Sequence, residues 1–179
     1  MSQTSSERFH FCPQCGRSRA DVGGNPLVCA DCGFKHYFGP AVAVGAIILD
    51  SQDRILFLRR ARDPGKGKLG LPGGFVDLNE SGEEAAAREI FEEVGLRVAS
   101  TKYLTTFVNS YCYLGTDIPV LDLFYICKVD SFASLAAAPD EVKQVEFLIP
   151  SKQHLDDMAF ASNRRAVEFF IAHRGEETG

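Results

Sequence analysis

Residues 73–96 read GGFVDLNESGEEAAAREIFEEVGL, from Gly73 to Leu96. A glycine pair leads into a short loop, then a run rich in alanine and glutamate, then another glycine. Ser81 followed three residues later by Glu84 is a capping-box signature, so a helix is expected to start there. Gly95 suits the left-handed position that ends a helix. Between those ends Glu89, Glu92 and Glu93 fall at i, i+3 and i+4, which projects three carboxylates from one helical face. Arg88 reaches Glu92 at i+4, but one arginine cannot balance three acids. A solvated acidic face is the plain reading of such a cluster. Oxygen ligands at this density also suit a hard divalent cation such as Mg²⁺ or Mn²⁺.

The rest of the chain surrounds that stretch. Its 179 residues are enough for a buried core plus a small appendage. Hydrophobic content of 45% and charged content of 24% are those of an ordinary globular protein. A net charge of −5 argues against a general nucleic-acid or membrane surface. The longest apolar run, Ala41 to Leu49, is too short to span a bilayer. The opening MSQTSSERFH offers no apolar stretch for a signal peptide. A soluble, cytoplasmic protein is therefore expected.

Near the N-terminus, Cys12-Pro13-Gln14-Cys15-Gly16 and Cys29-Ala30-Asp31-Cys32-Gly33 form two Cys-x-x-Cys-Gly knuckles. Doubled knuckles at this separation match the four-thiolate, tetrahedral spacing of a structural zinc ribbon, with Cys12, Cys15, Cys29 and Cys32 as ligands. A pair of disulfides or a redox motif is the competing reading, and no thioredoxin-like context supports it. So short a segment cannot build its own core, and the metal would supply its folding energy. His36 is a possible extra ligand but reads rather as packed or solvated. Cys112 and Cys127 fall in strand-like stretches, as buried thiols.

Pro40 marks a boundary, giving a ribbon over residues 1–38 and a second domain over 39–179. Ala41 to Leu49 suits a strand covered on both faces, and Arg54 to Arg60 suits its return. Ala61 to Leu71 has the composition of a loop. Strands are expected over Val98 to Val108, Ile118 to Val129 and Glu141 to Leu148, and a last amphipathic helix over about Ser162 to Ala172. Strands with one helix in the middle and one at the end suggest an α/β arrangement, a mixed sheet between helical layers.

The 73–96 stretch has a defined spacing: Gly74, five residues, Glu80, seven residues, Arg88-Glu89-Ile90, one residue, Glu92-Glu93, one residue, Gly95-Leu96. It resembles the signature box of the Nudix hydrolases at every specified position. The resemblance implies the Nudix α/β/α sandwich and Mg²⁺- or Mn²⁺-dependent cleavage of a nucleoside diphosphate linked to another moiety. It implies Glu92 and Glu93 as the main metal ligands, with the Gly73 carbonyl completing the sphere. Glu89 would stand near the nucleophilic water, and Arg88 and Glu80 would support the loop and helix. Many Nudix enzymes take a base from a loop well after the box. Asp140-Glu141 occupies such a place, and Glu141 is the preferred candidate.

Substrate contacts are read more broadly. Arg59 and Arg60, at the end of a strand, are candidates for phosphate contacts, or simply meet solvent. Phe107, Tyr111 and Tyr113 are candidates for a base-stacking platform, or for cross-strand packing. A zinc ribbon ahead of a Nudix domain resembles the NADH pyrophosphatases. Their tryptophan-bearing motif downstream of the box is absent, the region here reading TFVNSYCYLGTD in a chain without tryptophan. Enzymes specific for ADP-ribose tend to carry a proline where this chain has Cys112, and a tyrosine such as Tyr113 is associated with dinucleoside polyphosphate enzymes. ADP-ribose or a related dinucleotide is the first expectation. An idle ligand sensor that uses the ribbon as adapter is the alternative. Nudix relatives are often dimers, so a homodimer is an expected assembly.

Overall fold

A computed structural model describes residues 5–113 and 116–174. The elements run β1 (Leu27–Val28), β2 (Lys35–His36), β3 (Ala41–Ile48), β4 (Ile55–Arg60), β5 (Leu69–Gly70), α1 (Gly82–Val94), β6 (Val98–Tyr113), β7 (Thr116–Val129), β8 (Val142–Leu148), α2 (Lys152–Asp156) and α3 (Ala161–His173). They fall into two compact units. One comprises Met1–Ala41 together with Ser110–Pro119, the other Val42–Asn109 together with Val120–Gly179.

Strands β3 to β8 order as β3-β7-β6 and as β5-β4-β8. β4 is antiparallel to both of its neighbours. Side chains alternate across a pleated strand, and the buried residues follow that alternation. Val44, Ala46 and Ile48 of β3, with Leu56 and Leu58 of β4, pack against Ala85, Ala86, Ile90 and Val94 of α1. Ile47, Ile55 and Phe57 turn the other way, onto Ala166, Val167 and Phe170 of α3. The apolar run of β3 is thus covered on both faces, because each parity of its side chains meets a different helix. This is the α/β/α sandwich expected of the sequence.

Local chemistry sets the ends of α1. Ser81 accepts the Glu84 N–H at 3.2 Å, while the Glu84 carboxylate accepts the Ser81 N–H at 2.8 Å. Gly95 closes the helix at φ 68°, in the left-handed region. Two expectations fall short: β6 runs on as strand to Tyr113 rather than ending near Val108, and β5 forms at Leu69–Gly70 within the stretch expected as a loop, where it pairs with Leu58 and Arg59 of β4. Pairing with β7 carries the ladder through residues whose composition alone reads as a link.

Candidate active site

The loop before α1 is laid along β3 by backbone hydrogen bonds. Val44 donates its N–H to the Gly74 carbonyl at 2.8 Å, Ala46 to Pro72 at 2.8 Å, and Val76 in turn to Val42 at 2.9 Å. Gly73 has φ 146°, and a Cβ there would collide with the Val44 carbonyl. A Cβ on Gly74 would collide with the Glu89 carboxylate. The glycine pair therefore lets backbone pass between β3 and the helix acids.

The three box glutamates have different surroundings. Glu93 lies on the buried face of α1 between Ile90 and Val94, only 6% exposed. Its Oε2 accepts the Gly73 N–H at 2.9 Å. Burial pushes its carboxyl up to about 8, and the charges of Glu89 and Glu141 add to the effect. Glu89 is also raised, chiefly by burial, with Glu92 and Glu141 contributing. The Glu92 side chain is 58% exposed. The same helical side thus carries one solvated and one buried acid.

Arg88 ties these parts together. Its guanidinium donates to both oxygens of Glu80 at 2.8 and 3.0 Å, to the Phe75 carbonyl at 2.9 Å, to Glu89 at 2.8 Å and to Glu92 at 3.1 Å. These bonds fasten the loop to the helix and hold the Arg88 pKa well above its ordinary value.

Glu141 reaches the site through a contact that the sequence does not advertise. The last carbonyls of α1 have no intrahelical partners. Ala136 donates its N–H to the Val94 carbonyl at 3.0 Å, and Ala138 donates to Glu93 at 2.9 Å. The Ser134 hydroxyl donates to the Gly95 carbonyl at 2.9 Å. The 131–140 loop is thereby pinned to the end of α1. Glu141, which follows it, comes close enough for its charge to act on Glu89 and Glu93. Its carbonyl accepts the Ala61 N–H at 2.8 Å, and its carboxylate pairs with Arg62 at 2.7 Å.

The two arginines at the end of β4 part ways. Arg59 is held by Glu146 at 2.9 Å, the Gly67 carbonyl at 3.0 Å and Asp157, so its guanidinium has three internal partners. Arg60 donates to the Pro64 carbonyl at 2.8 Å, lies over the Phe160 ring at 5.0 Å, and its charge acts on Glu93. Phe107 packs in the core below the Arg165 guanidinium, 4.1 Å from its ring centre. Tyr111 is half-buried and falls in the first unit. The side chains of Tyr113 and Cys112 lie outside the described residues. Cys127 is buried, which pushes its thiol up to about 12.

The donor set around Glu93 suits a divalent cation. A nearly buried carboxylate with two acids acting on it is unfavourable unless protonated or neutralised, and oxygen ligands match a hard ion. These acids are not drawn together as tightly as the cysteines. Among the described residues, only Cys12, Cys15, Cys29 and Cys32 bring three or more ligand atoms within 4.8 Å of one another.

That thiol cluster also passes a geometric test. Its sulfurs lie 3.7 Å apart for Cys12 and Cys32, and 3.8 Å for Cys15 and Cys29. A Zn–S bond of about 2.3 Å sets tetrahedral sulfurs about 3.8 Å apart. The two knuckles are built alike: Gly16 donates to the Cys12 carbonyl at 2.9 Å and Gly33 to the Cys29 carbonyl at 3.0 Å. The backbone hydrogen bond at Phe34 holds the Cys32 thiol down, but burial and the three neighbouring sulfurs push it to about 12. Four sulfurs at this spacing could hold one metal ion. His36, in β2, packs its ring against Phe34 and Phe38, outside the cluster.

A relative named ADP-ribose pyrophosphatase, from Methanocaldococcus jannaschii, is 49% identical over 63 residues, which make up 35% of this chain and 37% of that protein. One named NAD-capped RNA hydrolase NudC, from Pseudomonas syringae pv. tomato, is 26% identical across 98% of this chain and 59% of its own length. The chain spans less than two thirds of either relative. A solved NUDIX hydrolase from Nitrosomonas europaea superposes with a TM-score of 0.67 at 26% identity, covering 93% of each chain. The NUDIX domain family matches residues 39–170, which contain the glycine pair, α1 and Glu141. On that match, over most of its length, the chain belongs to the NUDIX family.

Proposed function

We propose that the protein is a divalent-metal-dependent diphosphatase. It would cleave the diphosphate of a nucleoside diphosphate linked to another moiety, with ADP-ribose or a related dinucleotide first. The observation that carries this reading is Glu93: a carboxylate nearly out of water, braced by the Gly73 N–H and crowded by Glu89 and Glu141. Once ionised, such a carboxylate is unfavourable unless a cation is held beside it.

Glu89, Glu92 and Glu93 would hold Mg²⁺ or Mn²⁺, with the Gly73 carbonyl as a further oxygen donor. The ion, when bound, neutralises phosphate oxygens and acidifies water. Arg88 keeps the loop and the helix acids in register. Water adds to one phosphorus, and the bridging P–O bond breaks. The leaving phosphate departs with that electron pair, and Glu141 accepts the proton of the water. Arg60, whose charge acts on Glu93, is the arginine assigned to a phosphate.

The names of the relatives, ADP-ribose pyrophosphatase and NAD-capped RNA hydrolase, agree with this chemistry. The sensor alternative has no observation in its favour. The thiol cluster would hold a structural zinc, which also fits the reducing cytoplasm. No helix among the described residues is long and apolar enough to cross a membrane.

The test is a Mg²⁺-dependent phosphate-release screen over ADP-ribose, NADH, dinucleoside polyphosphates, nucleotide sugars and NAD-capped RNA. Turnover of at least one diphosphate-linked nucleotide, lost in Glu93→Gln, is expected. No turnover of any of them would overturn the reading.

A further inference from the structure

The end of β4, the turn after it and the start of β8 line a cleft of about 540 Å³ whose walls include Arg60, Lys66 and Lys143, with Pro139 and Val142. None of the described residues lining it is acidic. Three cations around one hollow stand out in a chain of net charge −5.

The backbone explains how they meet. In the β4–β8 pair, Arg59 stands opposite Gln144 and Arg60 opposite Val142, so Lys143 is an extra residue on β8. An extra residue of this kind bends its strand and re-aims a side chain. Opposite it, the β4–β5 connection folds back with Gly67 donating to the Arg60 carbonyl at 2.9 Å. That turn carries Lys66 to the same hollow.

The cleft adjoins Glu141, whose carbonyl accepts the N–H of Ala61 in the cleft wall. Arg60 lines the cleft, and its charge acts on Glu93. Glu141 stands in the chain between Pro139 and Val142 of the rim, and its charge acts on Glu89 and Glu93. The two places nevertheless want opposite things. A diphosphate held on carboxylates needs a metal bridge, whereas an anion among Arg60, Lys66 and Lys143 needs none. The volume is within the range of small-molecule sites, about 300–1,000 Å³, and exceeds what one phosphate fills.

We infer that this cleft is a subsite for a phosphate outside the scissile diphosphate, carried as an ester on a sugar of the substrate. The preferred substrates then bear a third phosphate, and Lys143 selects them without taking part in bond cleavage. This rests on the hydrolase reading above.

The full-length, Mg²⁺-loaded protein is assayed with ADP-ribose and with its 2′-phosphate, as wild type, Lys143→Ala, Lys143→Glu and the distant control Lys152→Ala. One lost charge-assisted contact is worth about tenfold or more. The wild type and the control should therefore favour the phosphorylated substrate by about tenfold in kcat/KM, through KM. That preference should shrink to about threefold or less in Lys143→Ala and vanish in Lys143→Glu. No wild-type preference, or an unchanged ratio in the Lys143 variants, overturns the inference. So does an equal loss on both substrates, which would put Lys143 on the scissile diphosphate. If neither substrate is turned over, the hydrolase reading is what fails. Calorimetry with adenosine 2′,5′-bisphosphate against AMP then decides the cleft: weakening of the bisphosphate alone by Lys143→Glu supports it, and equal binding refutes it.

Discussion

Replacing Glu93 by glutamine separates the charge of this carboxylate from its packing. Glu93 is 6% exposed, and burial raises its carboxyl from 4.5 to about 8. The folded protein therefore holds this proton more tightly than the unfolded chain does. The associated stability is complete below pH 4.5 and is lost as the pH rises to about 8. At ~1.36 kcal/mol per pH unit, ionising the group costs the fold about 5 kcal/mol. Relaxation around the site leaves roughly 2–5 kcal/mol of that. Glutamine keeps the shape and still accepts the Gly73 N–H without carrying charge. In Mg²⁺-free buffer, with no chelator to strip zinc, Glu93→Gln should match the wild type near pH 5. At pH 9 it should melt about 5–15 °C higher, taking ~2–4 °C per kcal/mol for a chain of this size. Added Mg²⁺ should raise the melting temperature of the wild type at pH 9 and leave the variant unchanged, since a ligand stabilises only the form that binds it. Turnover should be nearly abolished throughout. Thermal unfolding followed at pH 5, 7 and 9 with and without Mg²⁺ checks all of this. A variant that melts below the wild type at pH 9, or pH profiles that run parallel, would refute the account of Glu93 as a charge buried for a cation.

Two further substitutions probe the loop and the thiols. In Gly74→Ala the added methyl meets the Glu89 carboxylate, which Arg88 holds in place. Displacing that acid by about 1 Å should lower kcat by roughly 100-fold, with little change in melting temperature. Steady-state kinetics beside a thermal melt tests it, and wild-type kcat would contradict it. Cys15→Ser removes one of four sulfurs spaced for a tetrahedral ion. It should reduce bound zinc from about one per chain to a small fraction, and loosen the N-terminal unit. Metal analysis and amide hydrogen exchange report both, and a variant that keeps its zinc and its protection would exclude the four-thiolate site.

Legibility in the sequence followed the range of the interactions involved. The ends of α1 could be read because capping is a contact between Ser81 and Glu84, three residues apart. Both faces of β3 could be read because the strand is apolar at either parity. The thiol cluster could be read because each knuckle is a local turn. By contrast, the differing burial of Glu92 and Glu93 was not legible. Helical spacing puts them side by side, and only the packing of α1 on β3 and β4 decides which one leaves water. The same holds for Arg59 and Arg60, adjacent in sequence, one bound by Glu146 and Asp157 and the other bordering the cleft.

By itself the sequence determined the box, its helix and the two cysteine knuckles, because each depends on neighbours a few residues apart. Tertiary structure alone decided that the free carbonyls at the end of α1 capture the 131–140 loop and so bring Glu141 to Glu93. It also decided that one extra residue in β8 carries Lys143 to the hollow that Lys66 and Arg60 line. Those placements depend on hydrogen bonds between segments some forty to eighty residues apart. Their partners are chosen by how the sheet and helices pack, which no local pattern encodes.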